Sequence, residues 1–118
     1  MPELDLEHRA EKIGLRLWTL DFWSQETILD LYAGEGNLSH LYASRCRKLI
    51  CVEKDEDAFE RLEEALRLDN IELHNCDNME YLESFHEPEI TFVDFDAFGC
   101  PNAQIAKFFE RHRVARAI

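Results

Sequence analysis

Short apolar segments alternate with amphipathic segments along the chain, and an acidic residue stands at or just after the end of each apolar segment. The apolar segments are rich in aliphatic and aromatic residues, which predicts four strands, over residues 27–32, 49–53, 70–75 and 89–95. Apolar residues at helical spacing predict helices over residues 5–20, 37–45, 55–68 and 101–112, and a short helix that begins at Asp77. The last residues, VARAI, have the composition of the beginning of a fifth strand.

This alternation of strands and helices predicts an α/β fold, in which right-handed crossovers join the strands of a parallel sheet and helices cover its faces. Continuous apolar strands agree, because both faces of such a sheet are buried. The predicted helix starts carry suitable residues, since Asn37 and Asp55 can cap a first turn and Pro101 suits a first helical position. With 118 residues, the chain fits a single domain over residues 1–118.

The net charge of −12, from 25 acidic and 13 basic residues, disfavours a general affinity for nucleic acid. We interpret the basic clusters at 45–48 and 111–116 as solvated helix ends. The chain has no run of 18 apolar residues and its N-terminus is charged, so we expect neither a membrane span nor a secretion signal. The four cysteines form no C-x-x-C pair and stand at no ligand-like spacing from a histidine, so we expect reduced thiols of a cytoplasmic protein and no metal site.

Acidic residues and two glycines mark the carboxyl ends of the predicted strands. In an open α/β sheet, ligands bind beyond these ends, where the strand order reverses. Gly34 and Gly36 follow the first strand, and backbone without a Cβ atom can approach a ligand closely. The acids that the predicted topology brings to the same edge are Asp30, Glu53, Asp77, Asp94 and Asp96.

The glycine loop and Glu53 favour a nucleoside ligand that carries positive charge. The interval from Gly34 to Glu53 is typical of a glycine loop and the acid that binds ribose hydroxyls, and a carboxylate accepts hydrogen bonds from both hydroxyls. Ser39 stands where a dinucleotide-binding loop has its third glycine, and a pyrophosphate would meet Asp30 and Glu35. S-adenosylmethionine carries a sulfonium, an ammonium and no phosphate, so an acidic pocket attracts it.

The segments DLYAGEGN, VEKD, CDNMEYL and VDFDAFGCP, in this order, resemble the motifs of class I S-adenosylmethionine-dependent methyltransferases over about residues 25–112. The resemblance implies a Rossmann-like sheet of strand order 3-2-1-4 with a partial fifth strand. It also implies that the loop Ala33–Asn37 holds the methionine part of the cofactor, and that Asp30 binds its amino group directly or through water. The cofactor contacts implied in this way are Asp30, Ala33, Gly34, Gly36, Asn37, Glu53 at the ribose, Lys54 at the adenine face, Asp77 at the adenine amino group, Asn78 beside the ring, and Asp94.

The segment VDFDAFGCP is similar to the acceptor loop of tRNA guanine-N2 dimethyltransferases and, more distantly, to that of other exocyclic-amine methyltransferases. The resemblance implies that Asp96 orients the target amine and that Phe98 stacks on the base, with RNA, in particular tRNA, as the partner. Ala97 replaces the proline of that family and Cys100 replaces its serine. Alternatives are a capped turn before the Pro101 helix and a nucleophilic Cys100, which has no apparent activating base.

The sheet of that family has further strands, so we expect the domain to be incomplete at its C-terminus. The apolar fourth strand would then be an edge, and an exposed edge invites pairing with another chain, such as a second copy. The chain would be a fragment, a degenerate methyltransferase or a subunit that a partner completes. Two other functions stay open: a non-catalytic module that binds S-adenosylmethionine, and half of a nicotinamide-dependent oxidoreductase, against which Ser39 and the acidic pocket argue.

Overall fold

The computed structural model describes residues 11, 13–16, 18, 25–36, 38–85, 89–96, 100–112 and 116–117. Residues 11, 13–16 and 18 are helical, which agrees with the predicted N-terminal helix. The strands are β1 (Gln25–Asp30), β2 (Cys46–Val52), β3 (Ile71–His74), β4 (Ile90–Asp94) and β5 (Arg116–Ala117). The helices between them are α1 (Ser39–Ala43), α2 (Glu56–Ala65), α3 (Asn78–Ser84) and α4 (Asn102–Arg111).

The five described strands form one sheet in the order β3-β2-β1-β4-β5, and each neighbouring pair is parallel. The predicted Rossmann-like order 3-2-1-4 and the partial fifth strand are therefore confirmed. The prediction that the fourth strand is an edge is wrong, because β5 pairs with β4 at Phe92 and Val93. Pairing with a second copy through an exposed β4 consequently loses the structural reason that was given for it.

Helices cover both faces of the sheet. Side chains of successive strand residues point to opposite faces, so the apolar strands present apolar residues on both faces. On one face, Ile28 and Leu49 pack with Leu62 of α2 and with Tyr42 of α1. On the other face, Leu29 and Ile50 pack with residues of α3 and α4, including Leu82 and Phe108. All of these side chains are completely buried, so the sheet is the middle layer of a three-layer α/β domain.

The helix cap predicted at Asp55 is confirmed, and Asp77, at which a short helix was predicted to begin, is the N-cap residue of α3. The carboxylate of Asp55 accepts a hydrogen bond from the Ala58 amide at 2.9 Å, and that of Asp77 accepts one from the Met79 amide at 2.8 Å. By contrast, α1 begins at Ser39, later than predicted, and its N-cap residue is Leu38, which makes no side-chain capping bond. The cap predicted at Asn37 lies outside the described residues.

Candidate functional site

Hydrogen bonds between loops join the carboxyl ends of β1, β2 and β3. The Gly34 amide, after β1, donates to Oε1 of Glu53, after β2, at 2.8 Å. Nδ2 of Asn75, after β3, donates to the Glu53 carbonyl at 2.9 Å. Nδ2 of Asn78, at the start of α3, donates to the Leu31 carbonyl at 3.1 Å. The structure thus brings the loops that carry most of the predicted cofactor contacts to one edge of the sheet.

The two glycines of the first loop have different surroundings. Both have positive φ angles, +59° at Gly34 and +94° at Gly36, which side chains disfavour. A Cβ atom on Gly36 would lie 3.0 Å from Cδ1 of Leu62, so this glycine lets the loop pack against α2. A Cβ atom on Gly34 would have no neighbour within 4 Å. Close approach to a ligand is therefore available at Gly34, whereas Gly36 serves packing inside the protein.

Glu53 is held in a fixed orientation by two backbone amides. Its Oε1 accepts from Gly34, as described, and its Oε2 accepts from the Asp55 amide at 2.9 Å. The residue is half-buried, and each carboxylate oxygen can accept further hydrogen bonds. Lys54 next to it is exposed. Glu53 is thereby preorganised to accept hydrogen bonds from a polar ligand at the end of β2.

Asp30 lies beneath the glycine loop and is only 4% exposed. Its Oδ2 accepts from the Ser39 hydroxyl at 3.0 Å, and its Oδ1 accepts from the Tyr32 amide at 3.3 Å. Burial, together with the negative charge of Asp94, raises the pKa of Asp30 to about 7, although the bonds from Ser39 and Tyr32 and the charge of Arg16 act in the opposite direction. Asp30 thus binds Ser39 of α1 inside the fold, and its predicted contact with a cofactor stays a prediction.

Asp94 is 1% exposed and is a centre of internal hydrogen bonds. Nε of Arg16 contacts its Oδ2 at 2.9 Å, and Nη2 of Arg16 contacts its Oδ1 at 3.2 Å. The Tyr42 hydroxyl donates to the same Oδ2, and the Asp96 amide donates to Oδ1 at 2.8 Å. Burial, followed by the negative charges of Asp94 and Asp30, raises the pKa of Tyr42. The predicted contact of Asp94 with the cofactor stays a prediction, since these partners give it an internal role.

The remaining predicted contacts lie at the same edge or outside the described residues. Asp96 is half-buried, and its Oδ2 lies 3.5 Å from Nη2 of Arg16. Ala33 is buried, and its amide donates to the Val52 carbonyl at 3.2 Å. Oδ1 of Asn78 accepts from Nε2 of Gln104 at 3.1 Å, while Asp77 caps α3. Phe98 and Asn37 lie outside the described residues.

Sequence reasoning missed Arg16, Ser39 and Tyr42 as parts of this network. Ser39 was noticed only as a departure from the glycine pattern, although a hydroxyl beside a buried acid is a natural hydrogen-bond donor. Arg16 follows Ile13 by three positions and therefore falls on the apolar face of the predicted helix. A charged residue on such a face was a signal that it pairs with a buried acid.

A hollow of about 440 Å³ lies between β3 and α3. It is lined by Glu72, His74, Cys76, Glu80, Tyr81, Ser84 and Phe85. None of the predicted cofactor contacts lines it, so it is separate from the cleft that the strand ends predict. Within the described part of the chain, no group of three His, Cys, Asp or Glu residues is arranged to hold a metal ion. No helix among the same residues is long and apolar enough to cross a membrane.

Several solved structures, one of them a putative methylase, have the same fold. The chain matches the putative methylase HI0767 of Haemophilus influenzae with a TM-score of 0.68 and 23% identity, over 84% of this chain and 62% of that one. It matches TYW2 of P. horikoshii, solved with MeSAdo, with a TM-score of 0.59 and 26% identity, over 71% of this chain and 33% of that one. It matches TYW2 of M. jannaschii, solved with AdoMet, with a TM-score of 0.59 and 18% identity, over 74% of this chain and 41% of that one.

The chain therefore spans between a third and about three fifths of the length of these solved proteins. No curated protein sequence matches it. The family model described as "Ribosomal RNA adenine dimethylase" matches residues 9–90, which is more than half of the chain. A dimethylase is a methyl-transferring enzyme, so this match agrees with the predicted resemblance to methyltransferases. The chain belongs to the ribosomal RNA adenine dimethylase family.

Proposed function

We propose that this chain binds S-adenosylmethionine at the carboxyl edge of its sheet and transfers the methyl group to an exocyclic amine of RNA. The hydrogen bond from the Gly34 amide to Glu53, at 2.8 Å, is the observation that carries the cofactor site. This hydrogen bond holds the glycine loop, which has open space around Gly34, next to Glu53. The carboxylate of Glu53 is suited to bind a ribose. Loop and acid thus form one preorganised surface, and the residues present fit the cofactor.

The cofactor would lie across the loops after β1, β2 and β3. Glu53 would accept hydrogen bonds from the ribose hydroxyls with the lone pairs that the two backbone amides leave available. Because the loops are tied together, ordering them on binding would cost little further entropy. The remaining contacts would be Asp77 at the adenine amino group, Asn78 beside the ring, Lys54 at its face, Ala33, Gly34, Gly36 and Asn37 around the methionine part, Asp30 at its amino group through water, and Asp94 beneath it.

Bound S-adenosylmethionine would supply the methyl group and a neutral thioether leaving group. Asp96 would accept a hydrogen bond from the target amine and so turn the nitrogen lone pair toward the methyl carbon. Phe98 would stack on the base and limit its rotation. Positioning of this kind is the main contribution that the protein has to make, because the sulfonium already activates the methyl group. The proton that the amine releases would pass to solvent.

The acceptor base is the finer part of the proposal. The segment 93–101 resembles the acceptor loop of tRNA guanine-N2 dimethyltransferases, which favours N2 of guanine in tRNA. The family model favours the N6 amine of adenine in ribosomal RNA as a second candidate, but its match ends at residue 90, before this segment begins. We propose guanine N2 of tRNA, because the segment that would contact the acceptor carries the resemblance. The cytoplasmic location predicted from the sequence stays a prediction.

Transfer of a labelled methyl group tests the reaction. The chain is incubated with methyl-labelled S-adenosylmethionine and with bulk tRNA or ribosomal RNA, and the digested nucleosides are identified by mass spectrometry. We expect N2-methylguanosine from tRNA, whereas N6-methyladenosine from ribosomal RNA would establish the second candidate. Cofactor binding without any transfer would refute the proposed reaction and would identify a non-catalytic binding module.

Titration calorimetry with S-adenosylmethionine tests the cofactor site separately. Glu53→Ala removes the proposed ribose contact and leaves the Gly34 amide without its partner, so we expect Kd to rise about 5- to 150-fold, for a loss of about 1–3 kcal/mol. Glu64→Ala is the matched control, because it removes one exposed carboxylate from α2. Equal weakening by both variants would mean that net charge, and not the ribose contact, is responsible, and unchanged binding by Glu53→Ala would refute the site.

A further inference from the structure

Arg16 reaches from the N-terminal helical segment to the carboxyl edge of the sheet. It is 3% exposed, although it carries a charge. Its Nε and Nη2 contact the two oxygens of Asp94 at 2.9 and 3.2 Å, which is a two-pronged pair between a guanidinium and a carboxylate. Nη2 also lies 3.5 Å from Oδ2 of Asp96. One side chain therefore contacts the end of β4 and the first acid of the loop that follows it.

The Asp94 carboxylate, which Arg16 holds, in turn binds the backbone of Asp96. The Asp96 amide donates to Oδ1 of Asp94 at 2.8 Å, and this is the oxygen that Nη2 of Arg16 contacts. The Tyr42 hydroxyl donates to the other oxygen, so the Asp94 carboxylate is held from several sides. Arg16 thus acts on Asp96 in two ways, directly on its carboxylate and through Asp94 on its amide.

The geometry requires a guanidinium more than it requires a positive charge. A planar fork can contact two carboxylates at fixed angles, whereas a lysine ammonium is a compact charge on a flexible stem. The positive charge also offsets the repulsion between the buried carboxylates of Asp30 and Asp94, which are partners in adjacent strands. A lysine at position 16 would keep the positive charge but would not reproduce the two contacts. Arg16→Lys therefore distinguishes a role of Arg16 in charge balance from a role in geometry.

We propose that Arg16 is a positioning residue for methyl transfer, which sets the orientation of Asp96 and makes the acceptor loop depend on the N-terminal helical segment. This inference rests on the proposed function, in which Asp96 orients the target amine. Arg16 lies outside that amine contact and acts through Asp94 and Asp96. It is therefore expected to affect the transfer step far more than cofactor binding, since the groups at Gly34 and Glu53 are held by other bonds.

The test compares Arg16→Lys with Arg47→Lys, an arginine whose side chain is 81% exposed and pairs with Glu26 at 3.7 Å. For Arg16→Lys, we expect kcat per folded molecule to fall about tenfold or more, with Kd for S-adenosylmethionine within about threefold of wild type. NMR-detected hydrogen exchange should show a faster-exchanging Asp96 amide and unchanged amides in β1 and β2. Arg47→Lys should match wild type in all three measurements.

Equal acceleration of exchange throughout the sheet would overturn the proposal, because Arg16 would then only stabilise the fold, and an unchanged Asp96 amide would overturn it as well. Absence of transfer by wild type would instead refute the proposed function, and the exchange data would still decide whether Arg16 positions Asp96. Should Arg16→Lys not fold, the test uses the Nη2–H signal of Arg16 in the otherwise native protein, because Nη2 is the atom that lies near Asp96. A shift of that signal on Asp96→Asn supports the contact, and an unchanged signal overturns it.

Discussion

Replacing each loop glycine by alanine separates packing of the glycine loop from approach to a ligand. In Gly36→Ala, the new methyl group would lie 3.0 Å from Cδ1 of Leu62 and 3.7 Å from Cδ1 of Leu66. Its backbone would also have to keep a φ of +94°, which L-residues rarely adopt. In Gly34→Ala, φ is +59° and the methyl group would meet no atom within 4 Å. The two variants therefore share a backbone penalty, and only the first adds a clash.

The left-handed conformation costs an alanine about 1–2 kcal/mol relative to glycine. Overpacking against buried leucines adds about 1–3 kcal/mol, because Leu62 is completely buried and has little room to move. We expect Gly36→Ala to reduce the free energy of unfolding by about 3 kcal/mol and Gly34→Ala to reduce it by about 1 kcal/mol. For a domain of this size, these losses correspond to decreases in Tm of about 12 and 4 °C.

Thermal unfolding followed by circular dichroism, and calorimetric titration with S-adenosylmethionine, measure the two effects. We expect Gly34→Ala to weaken cofactor binding more than it lowers Tm, because its methyl group enters the space that the proposed ligand would fill. Gly36→Ala should lower Tm more than it weakens cofactor binding, when binding is measured on the folded protein. Equal decreases in Tm would refute the packing role of Gly36, and unchanged binding by Gly34→Ala would refute ligand approach at that glycine.

Two further predictions concern buried titratable groups. Because the pKa of Asp30 is raised to about 7, the folded state retains a proton that the unfolded state, with an ordinary pKa near 4, has lost, so stability falls as the pH rises from about 4 to 7. Denaturant melts should show that the free energy of unfolding of wild type falls by at most about 3 kcal/mol relative to that of Asp30→Asn between pH 5 and pH 8. A difference between the two proteins that is independent of pH would contradict this. Cys100 is exposed, whereas burial raises the pKa of the Cys51 thiol. A thiol reagent should therefore modify Cys100 rapidly and Cys51 only after unfolding, and Cys100→Ser should remove the fast phase.

The fold was predictable because its signals are local. Each strand is a short apolar run, each long helix has an apolar stripe, and Asp55 caps the helix that it was expected to cap. Given the alternation of these elements, few topologies remain, and the chirality of the crossovers removes most of them. The composition of VARAI indicated the beginning of a fifth strand, but so short a segment does not indicate which strand it pairs with, and the edge status of β4 was therefore misjudged.

The candidate site was predictable only in part, because strand ends are local whereas the partners of a side chain are not. Topology alone brings Glu53 to the glycine loop, and the structure joins them. The same reasoning did not foresee that Gly36 packs against Leu62 or that Asp94 pairs with Arg16, and the ligand contacts predicted for both stay predictions. Arg16 and Asp94 are 78 positions apart, and no spacing rule connects residues at that distance.

The proposed cofactor and an RNA substrate would need protein surfaces of opposite charge. The chain carries a net charge of −12, and a cationic nucleoside benefits from this charge at the edge where Glu53 and Asp77 lie. The basic residues Arg47 and Lys48 belong to the first half of β2, at the opposite end of the strand, and pair with acids there. Affinity for RNA comes mainly from neutralised phosphates, so these cations cannot draw the backbone of an acceptor RNA to Asp96. The proposed cofactor site does not depend on these cations, and it can be tested without any RNA present.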